Sequence, residues 1–269
     1  MPLKFVNINK SKIAYRKKNA VAPFTIFFLH GNSSRHQTWE NIFENKKLDP
    51  YRLIAFDLPA HGASDGISDY SLPTIGRIMA ESINRLSVDK PFILVGVSLG
   101  TNIIAEAMAY DINPLGIVLA GPCIIGADCS IANIMIPETS IGLSFVDELR
   151  IEQLNELAKL LRNHYTGPYY NKFENDFKMV KDNFRPKFGQ FVGEGKFSDQ
   201  IQIINKKNLP TLVIFGDTDQ VFYPDYLDNI TLPLWNNKVY KIPGGHWIHL
   251  DNPDVFSDLL SSFAMDISK

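Results

Sequence analysis

Six short apolar runs recur along the chain: PFTIFFL (23–29), YRLIAF (51–56), PFILVGV (91–97), PLGIVLA (114–120), PTLVIFG (210–216) and KVYKI (238–242). Most are apolar without alternation, the pattern of parallel strands covered on both faces. Between them, LPTIGRIMAESINRLS (72–87) and LGTNIIAEAMAY (99–110) read as helices. Strand and helix in repetition predict an α/β fold around a mostly parallel sheet with helices on both faces. The opening MPLKFVNINKSKIAYRKK alternates like a further strand.

That rhythm breaks between Cys123 and Lys207, where no strand pattern appears. SFVDELRIEQLNELAKLLRNHY (144–165) spaces Leu154, Leu157 and Leu161 at helical period, with Ser144 and Asp147 placed as a capping pair. YYNKFENDFKMVKDNFRPKF (169–188) predicts a second helix rich in aromatics. The expected organisation is a core of residues 1–122 and 208–269 with a helical insert at 123–207.

Composition narrows the partners. With 45% hydrophobic and 21% charged residues in 269 and a net charge of −2, the chain is an ordinary globular protein without a basic face for nucleic acid. No apolar run approaches the roughly 20 residues of a membrane span, and the first residues lack the apolar stretch of a secretory signal. Cys123 and Cys129 are too few for a disulfide framework and wrongly spaced for a zinc knuckle, so they read as buried thiols and fit a reducing cytoplasm. GEGKFS (193–198) lacks the spacing of a phosphate-binding loop, and no G-x-G-x-x-G occurs, so no cofactor is indicated. A homodimer stays open.

Chemistry concentrates at GVSLG (96–100). At average glycine usage of about 7%, a bare G-x-S-x-G arises by chance in roughly one chain of this length in ten. Its context lifts it above chance: the motif ends a predicted strand and starts a predicted helix, as a nucleophile elbow requires. A serine hydroxyl needs a base, and the base needs an orienting carboxylate. Both should follow in the order acid, then histidine. GDTD (216–219) offers Asp217 and Asp219 where a strand runs into a loop, and GGHWIHLDNP (244–253) offers His246, with His249 as rival. Asp219 is preferred because Asp217, directly after the strand, suits tying down the turn. Asp57 in DLPAHG reads as a loop-structuring carboxylate. HGNSS (30–34) after a strand would bring the amides of Asn32 and Leu99 face to face as oxyanion donors, with His30 as scaffold.

Taken in order, HGNSS, DLPAHGASD (57–65), GVSLG, GDTD and GGHWIHLDNP resemble the α/β-hydrolase fold across nearly the whole chain. Within that fold the chain is most similar to the N-acyl-homoserine lactonases that work without a metal. The resemblance implies that the 123–207 insert is a cap over the active site, and that Tyr165 or Tyr169 holds the lactone. Two positions depart from that pattern: Val97 stands where a bulkier aromatic is expected, and Thr101 replaces a second glycine. The reading is a serine hydrolase acting on a small ester or lactone, with Ser98 as nucleophile, His246 as base, Asp219 as its partner, and Asn32 and Leu99 as oxyanion donors. Phe173, Phe177, Phe184, Phe188 and Phe191 could build an acyl pocket or pack the cap on the core. A carbon–carbon bond hydrolase with the same residues and a non-catalytic small-ligand receptor remain as alternatives, and Ser98 in place of an aspartate argues against a dehalogenase.

Overall fold

A computed structural model describes residues 2–87, 90–127, 129–137, 139–163 and 167–268. A hairpin of β1 (Lys4–Ile8) and β2 (Ser11–Lys18) leads into β3 (Thr25–Leu29), a short α1 (Glu40–Glu44) and β4 (Arg52–Phe56). The chain continues through α2 (Leu72–Ser87), β5 (Phe92–Val97), α3 (Leu99–Ala107) and β6 (Gly116–Ala120). After β6 come α4 (Ile131–Ile134), α5 (Ile151–Leu161), α6 (Gly167–Lys178), α7 (Phe184–Gly193) and α8 (Gln200–Lys207). The core closes with β7 (Thr211–Gly216), β8 (Leu234–Ile242), α9 (Ile248–Asp251) and α10 (Pro253–Ile267).

One eight-stranded sheet runs in the order β1, β2, β4, β3, β5, β6, β7, β8. Its first two pairings are antiparallel and the rest parallel. The continuous apolar runs follow from this placement. In β3, Ile26 and Phe28 enter the core cluster on one face while Phe27 and Leu29 enter the cluster on the other. β5 divides the same way, with Ile93, Val95 and Val97 opposite Phe92 and Leu94. Successive strand side chains point to opposite faces, so a strand buried on both has no polar position left. On one face α2, α3 and α8 supply Ile75, Met79, Ile103 and Ile204, and on the other α1 and α10 supply Phe43, Phe256 and Leu260.

The insert differs from the sequence reading in its helix boundaries. Instead of one helix from 144, a 3-10 turn at Ser140–Phe145 precedes α5, which begins only at Ile151. Gln153 Oε1 accepts from the Arg150 backbone N–H at 3.1 Å, and Ser144 and Asp147 cap nothing. Asp147 is drawn to a tertiary partner, its carbonyl and carboxylate facing Arg185, and the Ser144 carbonyl accepts from Asn32 Nδ2. The second predicted helix breaks into α6 and α7, because Asp182 and Asn183 take left-handed φ values of 58° and 52°, a conformation Asp and Asn tolerate better than most. β8 begins four residues earlier than KVYKI, with Asn236 and Asn237 also left-handed where its register against β7 shifts.

Where β7 ends, Gly216 lets two segments meet. A Cβ there would lie 2.2 Å from the carbonyl oxygens of both Gly244 and Gly245. Gly216→Ala is therefore expected to cost about 2 kcal/mol or more through overpacking against rigid backbone. Urea unfolding of the variant tests this; a loss below about 0.5 kcal/mol, the range of an inconsequential surface change, would show that the two segments separate freely.

Candidate active site

Parallel strands put their C-terminal ends on one edge, and the candidate residues collect there. Leu29 of β3 pairs with Gly96 of β5, and Val97 of β5 with Ala120 of β6, so the 30–36 loop, the Ser98 turn and the segment after β6 lie side by side. Ser98 itself has φ 52° and ψ −124°, outside the regions L-residues ordinarily occupy. Such a backbone costs on the order of 1–3 kcal/mol and persists only where its surroundings enforce it. They do so here through two glycines. A Cβ on Gly96 would sit 2.6 Å from the Gly100 carbonyl, and one on Gly100 would sit 2.3 Å from the Leu29 carbonyl oxygen. Thr101, the departure noted in the sequence, donates from its hydroxyl to the Ser98 carbonyl at 2.7 Å and accepts from the Cys123 N–H.

Ser98 Oγ lies 2.8 Å from His246 Nε2, and His246 Nδ1 lies 2.8 Å from Asp219 Oδ2. A carboxylate only accepts, so the proton of the neutral imidazole sits on Nδ1, and Nε2 is left as acceptor for the serine hydroxyl. His246 is fully buried and Asp219 is 5% exposed. The other carboxylate oxygen of Asp219 accepts from the Val221 and Phe222 amides at 2.8 and 3.2 Å, which turns the side chain inward. Asp217 instead faces solvent and accepts from the Gly244 amide at 3.2 Å. Gly121, at φ 46°, lets the chain after β6 pass under His246, whose carbonyl oxygen would lie 2.6 Å from a Cβ at that position.

Over Ser98 opens a narrow cavity of about 90 Å³. Asn32 and Leu99 border it, and among the described residues no hydrogen bond engages the backbone N–H of either. Leu99 begins α3, where an amide has no carbonyl of its own helix to reach. Ser33, Asn102 and Ser144 add neutral polar groups, and the rest of the wall is apolar, with Ile125, Ile131, Leu157 and Phe188 contributed by the segment after β6. No Asp, Glu, Lys or Arg borders the cavity among the described residues.

The remaining candidates separate cleanly. His249 is buried with Nε2 2.7 Å from Thr38 Oγ1 and its ring tilted against Trp39, away from Ser98. Asp57 accepts from the backbone amides of His36 and Ala63 and pairs with the His36 ring at 2.6 Å. Burial pushes its carboxyl up, but His36 and those amides outweigh burial and hold it below the usual carboxylate range. His30 donates from Nδ1 to the Gly31 carbonyl and accepts the Leu58 amide at Nε2. Of Phe173, Phe177, Phe184, Phe188 and Phe191, Phe188 borders the cavity, together with Phe145, which the sequence reading did not name; Phe173 packs on Trp247, Phe177 lies under Arg185, and Phe184 packs on Tyr70. Tyr169 packs edge-on against Trp247, and Tyr165 lies outside the described residues. Sequence reasoning missed Cys123, which borders the cavity, and Arg185, which reaches Ser33 from α7.

Residues 26–259 match the model of the alpha/beta hydrolase family. Human monoacylglycerol lipase is 24% identical, with 90% of this chain and 76% of that protein covered. The 3-oxoadipate enol-lactonase of Acinetobacter baylyi is 23% identical over 90% of this chain and 89% of its own length. Among solved structures, the N-acyl homoserine lactonase AidH complexed with N-butanoyl homoserine superposes with a TM-score of 0.88 at 20% identity, covering 100% of this chain and 98% of that one. At that identity the likeness establishes the fold.

Two outcomes follow from the burial of groups around the cavity. Burial pushes the Cys123 thiol up to about 12, so it stays protonated and unreactive; a disulfide-exchange reagent at pH 8 should leave Cys123 untouched in the native protein and titrate both cysteines in guanidinium, and rapid native labelling of Cys123 would contradict its burial. Burial also lowers His30 from 6.5 to about 4 and His61 well below 6.5. The unfolded chain then binds protons that the native one refuses, so these two groups contribute stability above pH 6.5 that is lost as the pH falls toward 4. The urea midpoint should decline across that window, and the decline should shrink in His30→Asn relative to that variant's own neutral-pH value.

Proposed function

The chain belongs to the alpha/beta hydrolase family, and from that premise we propose that it is a serine hydrolase that cleaves a small, uncharged carboxylic ester or lactone. The observation that carries this reading is the continuous chain Ser98–His246–Asp219, with both links at 2.8 Å, at the mouth of an apolar cavity.

In the proposed mechanism Ser98 Oγ attacks the carbonyl carbon while its proton passes to His246 Nε2. The carbonyl π pair moves onto oxygen, and the oxyanion accepts from the amides of Asn32 and Leu99. Asp219 keeps the imidazole in the required tautomer and stabilises the imidazolium. His246 then returns the proton to the departing alkoxide; for a lactone that alkoxide stays tethered to the acyl group. Water, deprotonated by His246, attacks the acyl-enzyme, the Ser98–acyl bond breaks as His246 returns that proton to Ser98 Oγ, and the acid leaves.

The uncharged wall supports a neutral substrate over the carboxylate-bearing dienoic substrates of a carbon–carbon bond hydrolase, which would leave a charge without a partner in a low-dielectric cavity. The fold likeness to an N-acyl homoserine lactonase makes a medium-chain N-acyl-homoserine lactone the first substrate to test.

Proton release from that lactone in weak buffer, followed in parallel with a p-nitrophenyl ester, is the test. Ser98→Ala and His246→Ala should each lower turnover by about 10³-fold or more, with little change in thermal stability. Asp219→Asn should lower it by roughly 10²- to 10⁴-fold, while Asp217→Asn stays within a few fold of the unaltered protein. Turnover that survives in Ser98→Ala would sink the serine mechanism, and a single equivalent of released product without steady state would point to a receptor.

A further inference from the structure

Arg185 is an arginine with 1% exposure in a fold whose other arginines reach water more freely. It projects from α7, and its guanidinium lies 3.4 Å over the Phe177 ring. Nη2 donates to the Phe177 carbonyl, Nη1 donates to the Asp147 carbonyl at 3.3 Å and faces the Asp147 carboxylate at 3.5 Å, and Nε donates to Ser33 Oγ at 2.8 Å. Burying a cation this deeply carries a desolvation penalty, and a buried ion pair is often no better for stability than an apolar side chain of similar size. Its retention calls for a role in positioning.

The contact with Ser33 supplies one. Ser33 adjoins Asn32, and the same short loop is held to the insert at two further points. Asn32 Nδ2 donates to the Ser144 carbonyl at 2.9 Å, and Arg35 Nε pairs with the buried Asp176 of α6. Lys172 of α6 adds a bond to the Gln37 carbonyl at 2.7 Å. On its other side the loop is tied to the core, through the Ser33 amide on His61 Nε2 and the His36 amide on Asp57. The peptide that carries the Asn32 amide is thus suspended between core and insert, and Arg185 supplies a buried tie from the insert one residue away from it.

We propose that Arg185 is a positioning residue: by holding Ser33 it fixes the direction of the Asn32 amide, so that seating of the helical insert completes the oxyanion site. The inference rests on the serine-hydrolase reading above, which gives that amide its task. An insert lifted from the core would leave the Ser98–His246–Asp219 chain intact and the oxyanion donors misaligned.

The experiment compares the full-length protein with Arg185→Met, Arg185→Lys and Ser33→Ala. Active sites are titrated with a fluorophosphonate, turnover is measured on p-nitrophenyl butyrate, and inhibition by an alkyl trifluoromethyl ketone reports affinity for a tetrahedral oxyanion. Loss of alignment at one oxyanion donor should lower kcat per titrated site by about 10- to 100-fold in Arg185→Met. Trifluoromethyl ketone affinity should fall by a similar factor, while KM and the unfolding midpoint change little. Arg185→Lys should recover part of kcat, and Ser33→Ala, which removes the Arg185 acceptor together with the 3.2 Å bond from Ser33 Oγ to Asn32 Oδ1, should show the same split. Should Arg185→Met fail to fold, Ser33→Ala carries the test. Unchanged kcat per titrated site and unchanged ketone affinity in the folded variants would overturn the proposal, as would an effect confined to KM. Absence of fluorophosphonate labelling at Ser98 in the unaltered protein would instead overturn the serine reading, and this inference with it.

Discussion

Everything at this end of the sheet depends on the backbone of Ser98. A residue at φ 52° and ψ −124° has no intrinsic reason to be there, and it holds because Gly96 and Gly100 let α3 close against the end of β3 with no Cβ between them. The turn puts the serine hydroxyl above the sheet, within reach of His246 from the loop after β8. It also makes Leu99 the first residue of α3, leaving one amide without a helical acceptor. Strain of about 1–3 kcal/mol at one residue is a tolerable cost for a sheet whose central strands are buried on both faces, and it removes the choice of where the hydroxyl points.

Opposite that turn stands the 30–36 loop, held by groups that the strand pattern does not supply. His30 and His61 act as acceptors for backbone amides, each with its Nδ1 proton directed to a carbonyl of its own loop, so that Nε2 faces the Leu58 or Ser33 amide. Neutral imidazole suits this work because one ring nitrogen donates and the other accepts. Burial keeps both rings neutral through the ordinary pH range. The core half of the loop's suspension is therefore built from side chains that catalysis does not consume, while the insert supplies the other half through Arg185, Asp176 and the Ser144 carbonyl.

The strands were legible because their signal is local: Phe27 and Phe28 are apolar for opposite faces of one sheet, so the run TIFFL keeps no polar side. The candidate site was legible in part for the same reason, since the ends of parallel strands share an edge and Ser98, Asp219 and His246 each follow one. Thr218 alone separates Asp217 from Asp219, and turn chemistry favoured the second; the amides of Val221 and Phe222 are what turn it inward. The insert was less legible. Ser144 and Asp147 carry a capping signature that is locally sound, yet Arg185 faces the Asp147 carboxylate from 38 positions away, and the helix starts at Ile151 instead. Left-handed Asp182 and Asn183 divide a stretch whose aromatic spacing continues without interruption. Arg185 itself gave no signal, because a single buried cation has no period and its partners lie on three separate segments.

Charge around the cavity is arranged one layer back. Asp219 stands behind His246, Arg185 behind Ser33, and Asp57 behind His36. Glu106, fully buried on α3, accepts from Ser198 and Gln200, and Gln200 in turn accepts from Asn102 at the cavity wall. Each carboxylate or guanidinium has its own partners, neutral groups for most and the Asp147 carboxylate for Arg185, and none borders the space above Ser98. An apolar wall lowers the effective dielectric there, and a dipole aimed into such a space acts more strongly than the same dipole in water. A formal charge on the wall would draw in water and a counter-ion and weaken that effect. Keeping ions behind the wall lets them set the direction of His246 and of the 30–36 loop while the wall stays neutral, the environment that the proposed oxyanion role of two backbone amides calls for.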